Sequence, residues 1–179
     1  MRYIALLRGI NVGGNTKVSM PELKDLISSQ GLKNVTTYIN SGNVGFGARN
    51  DGAGEIESKL VTQIEQAIES HFKLPIQVMV RKQSEIEKIL KNNPFDGEFE
   101  SHKEMHVLFM KDEMPAEEQA QLLDKQTESE RFVIRGREIY CHLRLGVADS
   151  LLGKGFIEKK LKVPITARNW RTVQKLAEL

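Results

Sequence analysis

Cysteine and tryptophan each occur once in this sequence of 179 residues, and proline five times. The lone Cys141 cannot close an internal disulfide, and no second sulfur is present to share a thiolate metal site. No apolar run approaches the roughly 20 residues that cross a bilayer. The opening stretch Tyr3–Leu7 is apolar for only five residues before Arg8, so neither a membrane span nor a secretory leader is expected. Low hydrophobicity is also missing. With 40% hydrophobic and 28% charged residues and a mean hydropathy of -0.37, the chain is neither a disordered tail nor a fibrous polymer. A soluble cytoplasmic protein follows as the expectation, long enough for one ordinary domain or two small subdomains without a metal or disulfide.

A strong charge of one sign is absent too. The net charge of +2 marks neither a strong polyanion binder nor an acidic mimic. Its distribution is uneven: residues 111–130 hold seven acids against two bases, and residues 154–175 seven bases against one acid. Such clusters are most simply solvated helix faces, the alternative being a basic face that meets an anionic partner.

Periodicity organises the first half. Tyr3–Leu7 reads as a buried strand running into the glycine-rich stretch from Gly9 to Gly14. Ser19 and Glu22 form a capping box that opens a helix carrying Leu23, Leu26 and Ile27, with Gly31 as its stop. Val35, Thr37 and Ile39 alternate into the turn Asn40-Ser41-Gly42-Asn43, and Val44 and Phe46 return as the second strand of a hairpin. After a polar break at residues 48–54, Ile56, Leu60, Ile64, Ala67, Ile68 and Phe72 recur at steps of three and four, and Ile76, Val78 and Val80 make another strand. The order β-α-β-β-α-β is that of a ferredoxin-like (split βαβ) unit.

The second half repeats the idea less regularly. A helix from Ser84 to Asn92 is followed by a strand from His106 to Met110, a helix from Pro115 to Lys125, and a hairpin of Arg131–Arg135 with Glu138–Leu143 around Gly136-Arg137. Val147–Leu152 and Phe156–Leu161 read as helical pieces. A last helix is expected from near Thr166, placing Trp170, Val173, Leu176 and Ala177 on one face where a closing strand would otherwise stand. The expected fold is α+β: two tandem ferredoxin-like subdomains with mainly antiparallel sheets, at residues 1–80 and 105–179, joined by a connecting helix and loop at 81–104.

The strings Ala5-Leu6-Leu7-Arg8-Gly9-Ile10-Asn11-Val12-Gly13-Gly14 and Tyr38-Ile39-Asn40-Ser41-Gly42-Asn43-Val44, the Asn93-Pro94-Phe95 step and the ending from Thr166 to Leu179 resemble a widespread bacterial family catalogued as a domain of unknown function. The resemblance runs over essentially the whole chain, departing where Ala167 stands for a second threonine and Arg171 for an asparagine. It implies a compact α+β protein of two ferredoxin-like halves, with no activity attached.

Candidate chemistry centres on the first loop. The segment Gly9–Lys17 invites a phosphate-loop reading, but Asn15 follows the last glycine where lysine is required, Lys17 comes two places late, and the hairpin contradicts a parallel sheet. The glycines also serve simply as a sharp exit from the strand. Between those readings lies an anion cradle: backbone N–H groups around Gly13 and Gly14, flanked by Arg8 and Lys17, holding a phosphate or carboxylate. Asn11, Ser41 and Asn43 are candidate neutral donors, because the first loop and the hairpin turn lie close in a split βαβ unit. Arg168 and Asn169 join them only because the resemblance makes theirs the other distinctive polar string.

Other chemistry is thinly represented. His102 and His106 lack the glutamate that a zincin needs directly after its first histidine and lead into a strand, adjacent Cys141 and His142 point to opposite faces of a strand, and there is no nucleophile elbow. No metal or cofactor is expected, and whether the protein is an enzyme stays open. A small anionic ligand is the first reading. RNA or DNA at the basic C-terminal region, with Trp170, Arg171 and Lys175, is the second, although Phe46 is the only aromatic in the strand where an RNA-recognition sheet needs several.

Overall fold

The structure, a computed structural model, describes residues 1–14, 16–49 and 55–179. Asn15 and most of the expected polar break at 48–54 lie outside the described residues. In chain order the elements are β1 (Arg2–Leu7), α1 (Met20–Ser29), β2 (Lys33–Tyr38), β3 (Asn43–Gly47), α2 (Ile56–Phe72), β4 (Val78–Lys82), α3 (Gln83–Lys91), β5 (Met105–Met110), α4 (Ala116–Asp124), β6 (Glu130–Arg135), β7 (Glu138–Leu143), α5 (Phe156–Lys159), β8 (Ile165–Asn169) and α6 (Trp170–Leu176). The chain divides into two compact units, Met1–Lys88 with Lys175–Leu179, and Ile89–Gln174.

In the first unit the antiparallel sheet runs β2-β3-β1-β4, the strand order of a split βαβ fold. Register sets Ala5 opposite both Val44 and Val80, so one face carries Tyr3, Ala5, Leu7, Val44, Phe46, Val78 and Val80. This face packs against Leu23 and Ile27 of α1 and Leu60, Ile64 and Ile68 of α2. Ser19 caps α1 by accepting from the Glu22 N–H at 3.5 Å. Residues 175–179 return to the same unit, where Arg2 Nε donates to the Leu179 backbone oxygen at 2.6 Å and Gln83 donates to Ala177 O at 2.7 Å. Gly45 makes room for this segment: a Cβ there would stand 2.9 Å from Leu179 Cβ.

The second unit repeats the topology, with sheet order β6-β7-β5-β8. Leu108, Met110, Ile139, Cys141 and Ile165 pack with Leu122 of α4 and Ile157 of α5. Two expectations are corrected. No helix starts at Thr166; residues 165–169 are the closing strand, pairing Leu108 with Ala167, and the helix begins only at Trp170. The boundary is chemical, because Asn169 Oδ1 accepts from the Thr172 N–H at 2.9 Å and so acts as the cap of α6. The expected helical piece at Val147–Leu152 is instead a run of turns, closed by bonds such as Ser150 N to Val147 O, 3.0 Å.

Candidate functional site

β1 leaves its sheet between two neighbours: Leu7 N donates to Gly42 O and Arg8 N to Gln77 O, both at 2.9 Å. The chain then turns on Gly9 and Asn11, at φ +68° and +55°. Asparagine tolerates that left-handed backbone better than most side chains. Its carboxamide explains the choice more fully. Asn11 Nδ2 donates to Val18 O (3.0 Å) and Asn40 O (2.8 Å), Oδ1 accepts from the Val18 N–H (2.9 Å), and the Asn11 N–H closes the loop on Thr16 O (2.7 Å). One side chain thus ties the loop, the approach to α1 and the β2–β3 turn together. Asn11→Ala is expected to destabilise the protein by about 2 kcal/mol in urea unfolding, through three lost bonds. Asn11→Asp should be no milder, because a carboxylate would face two carbonyl oxygens.

With Asn11 turned inward, the outer part of the loop is left to backbone. Gly13 and Gly14, at φ +63° and +81°, are exposed, with nothing within 4 Å of where a Cβ would stand. Among the described residues, no hydrogen bond takes up the N–H of Val12, Gly13 or Gly14. Lys17 is exposed, and half-buried Arg8 donates from Nη1 to Gln77 Oε1 at 3.4 Å. The β2–β3 turn beside the loop holds Ile39 at φ +47°, an unusual conformation for a β-branched residue. Ile39 is 49% exposed, and Val12 is 69% exposed.

The remaining predicted site residues are used by the fold. Asn43 is fully buried, its Nδ2 donating to Tyr38 O (2.9 Å) and Ser41 Oγ (3.0 Å), so this pair holds the hairpin turn in shape. Arg168 and Asn169 belong to the second unit. Arg168 is buried, donating from Nη1 to Thr166 Oγ1 (2.7 Å) and Ala167 O (2.8 Å), and burial lowers its pKa to about 10. The rings that a nucleic-acid partner would need are turned away from solvent. Phe46 is buried against Tyr3 at 6.0 Å and Trp170 against Phe99 at 6.0 Å, while Lys175 is engaged with Glu178 at 2.7 Å. Cys141 is a core residue, its thiol pKa pushed well up by burial and then by Glu130. Among the described residues, no group of three or more His, Cys, Asp or Glu side chains could hold a metal ion.

The second unit also contains a polar cleft of about 560 Å³ beside the β6–β7 hairpin, lined by Glu98, Glu104, Arg131, His142 and neighbouring charged side chains. Arg131 stands opposite His142 in the ladder, and its Nη2 donates to His142 Nδ1 at 3.0 Å. Arg131 also pairs with Glu98 and lies over the Phe95 ring at 4.9 Å. Burial, followed by Arg131, lowers the His142 pKa, with Glu104 and Glu98 opposing. The pairing was available from the hairpin itself: a two-residue turn at Gly136-Arg137 puts 131 across from 142.

Comparison with solved structures finds a conserved bacterial protein from Streptococcus pneumoniae, 25% identical, with a TM-score of 0.78 over 99% of this chain and 97% of the other. Comparison with curated proteins gives no match. Residues 1–140, which take in the first unit's whole sheet and the second unit as far as the start of β7, match the family described as "Protein of unknown function (DUF1697)", and the chain belongs to that family.

Proposed function

We propose that this protein is a cytoplasmic binder of a small anionic ligand, a phosphate or carboxylate, at the loop from Arg8 to Lys17. The observation that carries the reading is the division of labour in that loop. Asn11 holds it from the inside, while exposed Val12, Gly13 and Gly14 have N–H groups without partners among the described residues. Unpartnered backbone donors with cations at both ends suit an anion, and because the loop is held by its own bonds, little ordering cost is added on binding. Val12 and Ile39 offer apolar contact to a ligand's carbon skeleton. Asn11, Ser41 and Asn43 serve this site by shaping it. A lone, buried thiol suits a reducing compartment.

Thermal unfolding against inorganic phosphate and a panel of phosphorylated and carboxylated metabolites tests the reading. A ligand present at about a hundred times its Kd adds about 2.7 kcal/mol, enough to raise Tm by roughly 5–10 °C in a chain of this size. Arg8→Ala and Lys17→Ala should each remove most of that shift, read against each variant's own unliganded Tm. A panel that moves nothing, or that moves the parent and both variants equally, would overturn the proposal.

A further inference from the structure

We infer that the cleft beside β6 and β7 is a second binding site, built for a small molecule that carries a hydroxyl next to an ammonium group, the chemistry of amino alcohols and amino sugars. Its volume of about 560 Å³ suits a ligand of that size. The acidic lining alone would be an ordinary solvated surface; His142 makes the difference. This side chain is 2% exposed, and its Nε2 is buried with no hydrogen-bond partner. A guanidinium has only donors, so the Arg131 bond makes Nδ1 the acceptor and leaves the proton of the neutral ring on Nε2. The ring stands among Phe95 at 5.5 Å and Phe99 at 6.5 Å, which fix its orientation.

Glu104 Oε2 stands 3.8 Å from Nε2, beyond hydrogen-bond reach. An oxygen seated beside that gap, about 2.8 Å from each atom, has to accept from the imidazole and donate to the carboxylate. A hydroxyl does both. A phosphate or carboxylate would meet Glu104 charge to charge, and an ammonium has nothing with which to accept. The rest of the lining sets the ligand's charge. Once Glu98 is paired with Arg131, the carboxylates of Glu100, Glu104 and Glu128 share the lining with Arg144, the only other arginine or lysine there among the described residues. Glu100 and Glu128 are exposed and have no ion-pair partner among the described residues, so they are placed to receive an ammonium.

The test is a titration of the full-length protein with glucosamine, following the His142 ring nitrogens by NMR and assigning them among the four histidines with His142→Gln. The expected result is a saturable shift of the Nε2 resonance. Affinity for glucose, which keeps the hydroxyls and lacks the ammonium, should be roughly tenfold weaker, and Glu100→Gln with Glu128→Gln should lower glucosamine affinity by about the same factor. Both substitutions are at exposed positions, so folding is preserved. No saturable His142 shift, equal affinity for glucose and glucosamine, or a His142 shift produced by inorganic phosphate would each overturn the assignment. None of these results bears on the loop at Arg8, whose readout is a different ligand class and a different unit.

Discussion

Gly42→Ala is expected to destabilise the protein by about 3 kcal/mol, although it adds a single methyl group. Two costs combine at this position. The backbone sits at φ +82°, a left-handed conformation that costs an L-residue roughly 1–2 kcal/mol. The new Cβ would also stand 2.7 Å from Leu7 Cβ and 2.8 Å from Ile10 Cδ1, and overpacking of this kind typically costs about 1–3 kcal/mol. Leu7 cannot give way easily, because Cβ is fixed by its own backbone, whose N–H is bound to Gly42 O at 2.9 Å. Gly13→Ala separates the two terms: φ is +63° there, but nothing lies within 4 Å of the added carbon. It should cost only about 1 kcal/mol. Urea unfolding of both variants is the measurement, and equal losses would show that contact with β1 is unimportant.

The second large effect is a loss of stability in mild acid that traces to His106. Burial, with a smaller push from His102, lowers its pKa from 6.5 to about 4, and its Nδ1 is buried without a hydrogen-bond partner. The folded protein therefore prefers the neutral ring. The associated stability is complete above the unfolded value near 6.5 and is lost as pH falls toward 4. A difference of that size corresponds to about 3 kcal/mol. His142 is lowered for the same leading reason and acts in the same direction. The check is denaturant unfolding at pH 7 and pH 4.5 in the parent and in His106→Leu, which cannot titrate there. The parent should lose the larger amount by roughly 2–3 kcal/mol; equal losses would place the acid sensitivity elsewhere.

Legibility in the sequence followed the range of the interaction. The helix of α2 was readable because Leu60, Ile64 and Ile68 mark one face at helical spacing, and the β2–β3 and β6–β7 hairpins because Gly42 and Gly136 mark their turns. That Cys141 and His142 face opposite ways followed from strand alternation. The closing strand β8 is hidden in the sequence for a related reason. Trp170, Val173 and Leu176 carry a helical period that reads back to Thr166, past Asn169, whose capping role is local but whose strand partners on β5 are some sixty residues away in sequence.

Site residues divide differently, because a polar side chain's use depends on which way it turns. Asn11 reads in the sequence as a candidate donor to a ligand, yet nothing in its neighbours says that its carboxamide faces Val18 and Asn40. Arg168 reads as a surface cation and is buried. His142 stands beside Cys141 in sequence, where strand alternation forbids a pair, and its partner is Arg131 across the hairpin.

By itself, then, the amino-acid order determined that this chain forms two α+β repeats with antiparallel sheets, since strand alternation, helical period and turn glycines act between residues a few positions apart. Tertiary structure alone decided that Asn11 became a clamp, that Arg168 went inside, and that Arg131, Glu104 and His142 gathered around one cleft. Hydrogen bonds and burial at those places join residues far apart in the chain, and their direction is set only when the sheets have assembled around them.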